Sequence, residues 1–411
     1  MRAADANAGT RLAPRDAAEL AEIVRGHPRA LEPIGGGTKR AVGRAVDADP
    51  LDLSALAGIV DYTPDELVLT AQAATPLAEI ERAIAAHGQR LAFAPPDYGA
   101  LLHGGAAAAG GAPANGGDAA AVDGVPAKGV RPQTNGAGAQ TIGGILATNL
   151  AGSRRVVAGA ARDHFLGFEA VSGRGERFKA GGRVVKNVTG YDLPKLIAGS
   201  WGTLAVLTQV TIRTAPAPET ERTLLIEADS AQRAVDLLTL ALGAGTDVSA
   251  AAYDPWQGAA LRLEGFAESV AARAAALLEA LGSPAAETLE DEHSAAFWAA
   301  LSGAEALAGW PIVWRLSIPP AHAPSVLASL APERYLLDWG GGLVWAAYAS
   351  VDARRVRGAL GEGHATLIKA PPAARAQTCT FHPPPASLAA ALERIKRAFD
   401  PDDRLNPGRM D

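Results

Sequence analysis

The chain has 411 residues, 48% of them hydrophobic and 20% charged, which is enough for two or three globular domains with more than one core. Its formal net charge of −6 excludes the basic excess that nucleic-acid binding requires. One cysteine excludes an internal disulfide and an iron–sulfur cluster, and the eight histidines lack zinc-site spacing, so we predict no metal.

The predicted elements begin with a helix over 16–27 and a strand that runs into the glycine turn at 35–37. Two short strands are predicted on either side of Thr63-Pro64. Pro76 opens a helix through His87, and Gly88 follows it directly, which is the expected asymmetry of Pro and Gly at helix ends.

Residues 101–140 differ in composition, with 10 Gly and 12 Ala. They offer little apolar surface to offset the entropy of ordering. We interpret about 103–134 as a mobile surface insertion without chemistry; a linker between two domains is the alternative.

Patterned sequence resumes at 141 and includes a strand rich in β-branched residues over 204–213. The two prolines in 214–220 mark the best linker candidate. Strand and helix signals then alternate, which predicts an α+β or α/β second domain. No internal repeat is evident. No segment is apolar enough to cross a bilayer and the first residues lack the apolar centre of a signal peptide, so we expect a cytoplasmic protein.

Three glycine-bearing segments are candidates for a ligand site: Ile34-Gly35-Gly36-Gly37-Thr38-Lys39, then Thr141-Ile142-Gly143-Gly144 continuing to Gly152, then Gly202-Thr203-Leu204-Ala205-Val206. Consecutive glycines let a ligand approach the backbone, and inward-turned N–H groups form an anion-binding nest to which Lys39 would add charge. Each segment alone is also explained as a tight turn or a close-packed crossing.

In this order and with these flanks, the three segments resemble the PCMH-type FAD-binding domain of the vanillyl-alcohol-oxidase superfamily. Blocks at 58–81, 87–99, 161–176, 184–208, 336–345, 361–366 and 399–410 are similar to the FAD-binding subunits of bacterial glycolate oxidases. The similarity covers most of the chain except 101–140 and parts of 221–330.

The resemblance implies an α+β fold. A PCMH-type FAD-binding domain of two α+β subdomains would span 1–216, and a C-terminal α/β, ferredoxin-like FAD-linked oxidase domain would span 221–411. The first glycine loop would hold the pyrophosphate, the second would lie against the ribityl chain and isoalloxazine, and the third would meet the adenine end. The cofactor-binding residues implied are Ile34, Gly35, Gly36, Gly37, Thr38, Lys39, Pro95, Pro96, Thr141, Gly143, Gly144, Ala147, Thr148, Gly152, Asp163, Gly202, Thr203 and Val206.

Oxidation of a 2-hydroxy acid requires a base near the hydroxyl and a cation for the carboxylate. The sequence identifies no catalytic residue; His364 is the best candidate for the base, with a structural turn histidine as the alternative. The GGGTK loop has no histidine and Cys379 lies far along the chain, so we predict non-covalent FAD.

The resemblance thus implies the FAD-binding subunit of a glycolate oxidase, which takes part in oxidising glycolate to glyoxylate. The expected partners are a larger FAD-containing subunit and an iron–sulfur subunit, through which the chain could associate with a membrane without entering it. The alternatives are an autonomous FAD-dependent 2-hydroxy-acid dehydrogenase and a non-catalytic flavin-binding scaffold.

Overall fold

The computed structural model describes residues 12–103, 138–183, 190–282, 284 and 287–410. Apart from His103, the predicted insertion at 103–134 lies outside the described residues. The helices are α1 Ala17–Gly26, α2 Leu77–Ala85, α3 Gly99–His103, α4 Ile142–Thr148, α5 Arg155–Ala158, α6 Leu193–Ile197, α7 Ala231–Gly243, α8 Ala267–Leu281, α9 Asp291–Ser302, α10 Ala323–Leu330, α11 Ala353–Gly358, α12 Pro372–Gln377 and α13 Ala386–Phe399.

The strands form three sheets. They are β1 Leu31–Ile34, β2 Asp49–Asp52, β3 Ile59–Thr63, β4 Val68–Gln72, β5 Gln89–Leu91, β6 Phe165–Ser172, β7 Arg177–Gly181, β8 Ala205–Pro216, β9 Thr220–Ile226, β10 Ala250–Asp254, β11 Gly258–Gly265, β12 Glu287–Glu290, β13 Ile312–Ser317, β14 Arg334–Asp338, β15 Leu343–Tyr348 and β16 His364–Lys369.

The first half of the chain carries two of these sheets. Strands β1 and β2 pair in parallel, and α1 packs beside them; the Asp16 carboxylate caps α1 by accepting from the N–H groups of Ala18 and Glu19. The second sheet has the order β3-β4-β8-β6-β7, with β5 also paired to β8. Helices α2, α4 and α6 pack on this sheet and bury a common core.

The second half is one antiparallel sheet of eight strands in the order β12-β9-β11-β10-β14-β15-β13-β16. Its chain order is β9-α7-β10-β11-α8-β12, then, after α9, β13-α10-β14-β15-α11-β16. Each six-element run has the ferredoxin-like strand order, and the two runs meet where Tyr253 of β10 pairs with Leu337 of β14. The fold therefore contains a repeat of topology that the sequence does not reveal.

The two faces of the eight-stranded sheet have different neighbours. Helices α7, α8, α10 and α11 cover one face with an apolar core. The other face meets α9 and the first half of the chain, where Tyr98, Leu101 and Trp201 pack against Leu336 and Trp345. Arg262 on this second face is therefore buried by the rest of the protein, whereas His364 on the edge strand β16 stays exposed.

The last residues return to the first half. The Phe399 ring lies 5.8 Å from that of Phe178, and Leu405 forms a parallel bridge with Leu31. The main chain on both sides of Leu405 bonds Leu31, whose N–H donates to Arg404 O at 2.7 Å. The tail thus packs with β1, although it follows the eight-stranded sheet in sequence. The domain boundaries given above stay a prediction.

Candidate functional site

A cleft opens in the first half, between the loop over 35–39 that follows β1 (the β1 loop), the start of α4 and the start of β8. The tail closes one side of it through Asn406 and Arg409. All three glycine segments singled out in the sequence contribute to its walls. The cleft therefore collects segments that lie more than 150 residues apart.

The glycines of the first two segments are required by contacts within the protein. A Cβ on Gly36 would lie 1.5 Å from the carbonyl oxygen of Ala139, and one on Gly143 would lie 2.7 Å from that of Ala73. A Cβ on Gly35 would lie 2.5 Å from Thr141 Oγ1. Real Cβ atoms do not come this close to other atoms. Larger residues at Gly35 and Gly36 would therefore push the β1 loop away from residues 139–141, and one at Gly143 would push α4 away from Ala73.

The β1 loop presents a row of backbone donors to the cleft. Within the part of the chain that the structure describes, the N–H groups of residues 35–39 donate no hydrogen bond. Gly37 has φ +70°, which turns the loop in a way that side-chain-bearing residues rarely adopt. Consecutive free N–H groups in such a turn form a concave site for an anion.

Lys39 adds a buried positive charge to this wall. Its Nζ donates to Gln140 Oε1 at 2.9 Å, and no described carboxylate lies within 4 Å of it. Burial lowers the pKa of Lys39 to about 8, although the negative charge of Asp97 acts in the opposite direction. An anion bound in the cleft would stabilise the ammonium form of this side chain.

Glu32 balances two arginines at the rim. Arg40 bonds both carboxylate oxygens of Glu32, and Arg409 Nη1 lies 3.5 Å from Oε1. The Arg409 Nη2 atom also donates to the backbone oxygens of Lys39 and Arg40 at 3.3 Å each. Arg409 thereby ties the tail to the loop that carries the free N–H groups.

Polar atoms of two further lining residues are unsatisfied within the described chain. Ser200 Oγ and Asn406 Oδ1 are buried without a hydrogen-bond partner, while Asn406 Nδ2 donates to Trp201 O at 2.8 Å. Buried polar groups are normally paired, so unpaired ones at a cleft are typical of a ligand site.

Most of the predicted cofactor-binding residues come together here. Those that line the cleft are Ile34, Gly35, Gly36, Gly37, Thr38, Lys39, Thr141, Gly143, Gly144, Ala147, Thr148, Gly202 and Val206. Those that do not line it are Pro95, Pro96, Gly152, Asp163 and Thr203. Sequence reasoning missed Glu32, Arg40, Gln140, Ser200, Trp201, Asn406 and Arg409, which also line it. Whether these residues bind a cofactor stays a prediction.

The predicted cofactor-binding residues outside the cleft contact other parts of the protein. Gly152 N donates to Ala94 O at 2.9 Å, and a Cβ on Gly152 would meet both that oxygen and Ser302. Asp163 Oδ2 accepts from Ala160 N at 2.9 Å. Thr203 Oγ1 donates to Ser200 O, and the two prolines lie between β5 and α3.

The candidate base His364 lies elsewhere, at the start of β16. It is exposed and does not line the cleft. Burial of part of its ring, and then the charges of Arg315, His382 and Arg155, lower the pKa of His364. Its catalytic role stays a prediction.

A buried ionic cluster lies at the contact between the first and second halves of the chain. Glu264 Oε1, on β11, accepts a hydrogen bond from Arg90 Nη1 at 2.5 Å. Glu264 Oε2 lies 3.2 Å from Arg154 Nε, so Arg154 forms an ion pair within this chain. Burial acts to raise the pKa of Glu264, but Arg262, Arg154 and Arg90 together lower it to about 2.

A second interdomain contact centres on Asp338 at the end of β14. Its side chain accepts from Ser153 Oγ at 2.7 Å and from Trp339 N at 2.7 Å. Complete burial raises the pKa of Asp338 to about 6 despite these hydrogen bonds and the charges of Arg262 and Arg315. A carboxylate placed so deeply is poised between its charged and neutral forms near neutral pH.

Comparisons with known proteins show which proteins this chain is similar to. A family model described as an FAD binding domain matches residues 10–127. The chain is 32% identical over 384 residues to "Glycolate oxidase subunit GlcE" of Escherichia coli (strain K12), covering 92% of this chain and 91% of that protein. It is 42% identical over 85 residues to "Glycolate oxidase subunit GlcD" of Bacillus subtilis (strain 168), covering 21% of this chain and 18% of that one.

Solved structures of alkyldihydroxyacetonephosphate synthase have the same fold. In one crystal form the TM-score is 0.63 at 13% identity, covering 96% of this chain and 76% of that one; a second form gives 0.64. The predicted mixed α+β, PCMH-type fold is thereby confirmed.

The family model and the similarity to GlcE identify an FAD-linked oxidoreductase, and the predicted cofactor, FAD, is confirmed. The chain belongs to the family of the glycolate oxidase subunit GlcE. The free N–H groups of the loop over 35–39 and the buried Lys39 fit the pyrophosphate of this cofactor. Among the described helices, none combines the length and apolarity that crossing a membrane requires.

Proposed function

We propose that this chain is the FAD-binding subunit of a glycolate oxidase and takes part in oxidising a small 2-hydroxy acid to its 2-oxo acid. The loop over 35–39 carries the proposal, because its free N–H groups and Lys39 form a site for a buried dianion. The substrate class is supported by similarity to the GlcE and GlcD proteins, whose names refer to glycolate oxidase.

The residues around the cleft have distinct roles in this proposal. Residues 34–39 hold the pyrophosphate, and Lys39 neutralises part of its charge. Thr141, Gly143, Gly144, Ala147 and Thr148 lie along the ribityl chain and isoalloxazine, and Gly202 and Val206 meet the adenine end. Pro95, Pro96, Gly152, Asp163 and Thr203, which the resemblance also implies for the cofactor, do not line the cleft, and we assign them no part in holding it.

Bound FAD would supply the redox chemistry by accepting two electrons and the hydrogen from C2 of the hydroxy acid. The protein's own part is to place that cofactor and to exclude water. The eight-stranded sheet helps by covering the first half with Trp345, Leu336 and other buried side chains. We expect non-covalent binding, because none of the described residues that line this cleft is a histidine and Cys379 is an exposed residue of the second half.

The chain works in a complex under this proposal, and the printed subunit names of its relatives support that. One partner is a larger FAD-containing subunit, and another holds an iron–sulfur cluster that a chain with one cysteine cannot ligate. We place the complex in the cytoplasm, with any membrane association provided by the partners.

A non-catalytic flavin-binding subunit is the second candidate. It is favoured by the residues that line the cleft, which include no histidine to serve as a base. In that case the partner subunit performs the substrate chemistry and this chain supplies a bound flavin to the assembly.

The anaerobic visible spectrum of the purified chain, loaded with FAD and then mixed with glycolate, tests the proposal. Flavin bands that bleach make this chain a dehydrogenase in its own right. Bands that persist with glycolate alone, but bleach when the larger subunit is added, support the non-catalytic candidate. Failure to retain FAD after reconstitution contradicts both.

A further inference from the structure

A cluster of cationic and aromatic side chains lies on the sheet face that covers the first half. Arg315 of β13 pairs directly with Trp345 of β15, and two residues further on Ser317 pairs with His364. Because directly paired residues and alternate residues of a strand share a face, Arg315, Trp345 and His364 project from the same side. That side is the one packed against Tyr98.

Trp339 connects this cluster to the first half of the chain. Its indole Nε1 donates to Gly152 O at 3.0 Å. Arg315 Cζ lies 4.8 Å from the Trp339 ring centroid, and Arg155 Cζ, from α5, lies 5.0 Å from the same centroid. Stacking on an indole orients a guanidinium while its N–H groups stay available.

No carboxylate of the described chain forms an ion pair with the arginines of this cluster, although the charges of Asp163 and Asp338 act on them. Neither Arg155 nor Arg315 has a described carboxylate within 4 Å, in contrast to Arg154, which faces Glu264. The hydroxyl of the fully buried Tyr98 lies beside the Arg315 guanidinium, and neither this hydroxyl nor Arg315 Nε has a well-formed hydrogen bond in the described chain.

The nearest acids are already engaged by other donors. Asp338 accepts from Ser153 and from Trp339 N, and Asp163 accepts from Ala160 N. Burial and then the charge of Arg315 lower the pKa of Arg155, which is the expected response of two cations held close together. The cluster therefore has unmet donors and an excess of positive charge.

We propose that Arg315, with the Tyr98 hydroxyl and the added charge of Arg155, binds the carboxylate of the 2-hydroxy acid at the contact between the two halves. This inference rests on the proposed function. A guanidinium presents paired N–H donors that match the two oxygens of a carboxylate, and its hydrogen bonds to an anion are among the strongest in proteins. The site is composite, since Tyr98 and Arg155 come from the first half and Arg315 from the second.

Calorimetric titration of the FAD-loaded full chain with oxalate tests the assignment, because oxalate carries the carboxylate but no oxidisable C–H bond. We expect Arg315→Gln to weaken oxalate binding at least tenfold and Arg155→Gln to weaken it several-fold. The affinity for FAD should stay within twofold in both variants, which also reports that the cleft is folded.

Two controls separate this site from a general charge effect. Arg354→Gln removes a cation of the same half whose side chain is 95% exposed, and it should leave oxalate binding unchanged. Uncharged 2-hydroxyacetamide should bind weakly, and with the same affinity, to the original chain and to Arg315→Gln. Arg315→Lys keeps the charge without the paired donors and should recover part of the affinity.

The outcomes separate the two proposals. Oxalate affinity that is unchanged by Arg315→Gln, or equal affinity for sulfate, overturns the carboxylate site and leaves the FAD subunit assignment intact. Retained, Arg315-dependent oxalate binding in a chain that cannot hold FAD supports the site and overturns the proposed function.

Discussion

Arg90 and Glu264 lie 174 residues apart in the chain, yet Arg90 Nη1 donates to Glu264 Oε1 at 2.5 Å across the contact between the two halves. Arg154 approaches the same carboxylate from the first half, at 3.2 Å. The Glu264 side chain is only 6% exposed. A buried acid that faces cations of the other half fixes how the two halves meet.

Replacing Glu264 with Gln should destabilise the protein by about 3 kcal/mol, because removing one partner of a buried ionic cluster leaves the opposing charges uncompensated. Urea unfolding measures this. Glu290→Gln is the matched control, since Glu290 pairs with Arg222 at a half-exposed position and should cost less than about 1 kcal/mol. Equal losses in the two variants would contradict the role given to Glu264.

Glu264 should also contribute to acid unfolding. Its pKa is lowered to about 2 in the folded chain, so the folded state binds fewer protons than the unfolded state. The stabilisation is complete above about pH 4.5 and is lost as the pH falls toward 2. Unfolding free energies of the original chain and of Glu264→Gln should therefore converge over this interval; parallel pH profiles would argue against it.

Asp338 should have the opposite pH dependence. Its pKa is raised to about 6, so folding favours the protonated form, and its contribution is lost as the pH rises from about 4 through 6. Asp338→Asn removes this titration. Relative to the original chain, the variant should gain roughly 2 kcal/mol of stability between pH 4 and pH 7, measured by denaturant unfolding. A constant difference between the two pH values would show that Asp338 does not titrate there.

FAD affinity should fall with rising pH because of Lys39. Its pKa in the free protein is about 8, and a bound pyrophosphate favours the charged form. Between pH 7 and 9 the dissociation constant, measured by flavin fluorescence, should rise roughly fivefold to tenfold. Lys39→Gln should bind FAD more weakly at pH 7 and show no such slope, whereas Lys195→Gln, at a half-exposed surface lysine, should behave as the original chain does. If the dissociation constant of Lys39→Gln still rose between pH 7 and 9, a titratable group other than Lys39 would be responsible for the pH dependence.

Gly36→Ala should disrupt the cleft, since the new Cβ would overlap Ala139 O at 1.5 Å. Separating the loops should weaken FAD binding at least tenfold and lower stability by about 1–3 kcal/mol. Gly26→Ala is the control, because nothing lies within 4 Å of its Cβ position and its φ is ordinary. Unaltered FAD binding by Gly36→Ala would show that the loops can move without loss of the site.

The walls of the cleft could be predicted from the sequence because glycine is favoured where another part of the chain or a ligand lies close to the backbone. Gly35, Gly36 and Gly143 line the cleft, as the resemblance implied. The protein atoms that require them are those of Ala139 and Thr141 for Gly35 and Gly36, and those of Ala73 for Gly143; the last contact is a close-packed crossing, the alternative given for the second segment. For these residues a structural and a ligand-binding requirement coincide, so sequence alone could not separate the two.

The tail and the interdomain polar groups could not be predicted in the same way. Asn406 and Arg409 enter the cleft through contacts with residues more than 200 positions earlier, which no local pattern encodes. In Leu261-Arg262-Leu263-Glu264 the alternation predicts one buried and one solvated face. Both faces are enclosed, because the first half covers the polar one, and this depends on tertiary packing.

The return of the tail to β1 also determines when the cleft can exist. Chains fold progressively as they are synthesised, with the N-terminal parts first. Here Leu31 bonds the main chain on both sides of Leu405, and Arg409 bonds the loop that carries Lys39. A nascent chain that has completed β8 therefore possesses every glycine loop and still lacks one wall of the cleft. We therefore expect the complete cleft to form only after residue 409 has emerged, which would make loading with FAD a late event in the maturation of this protein.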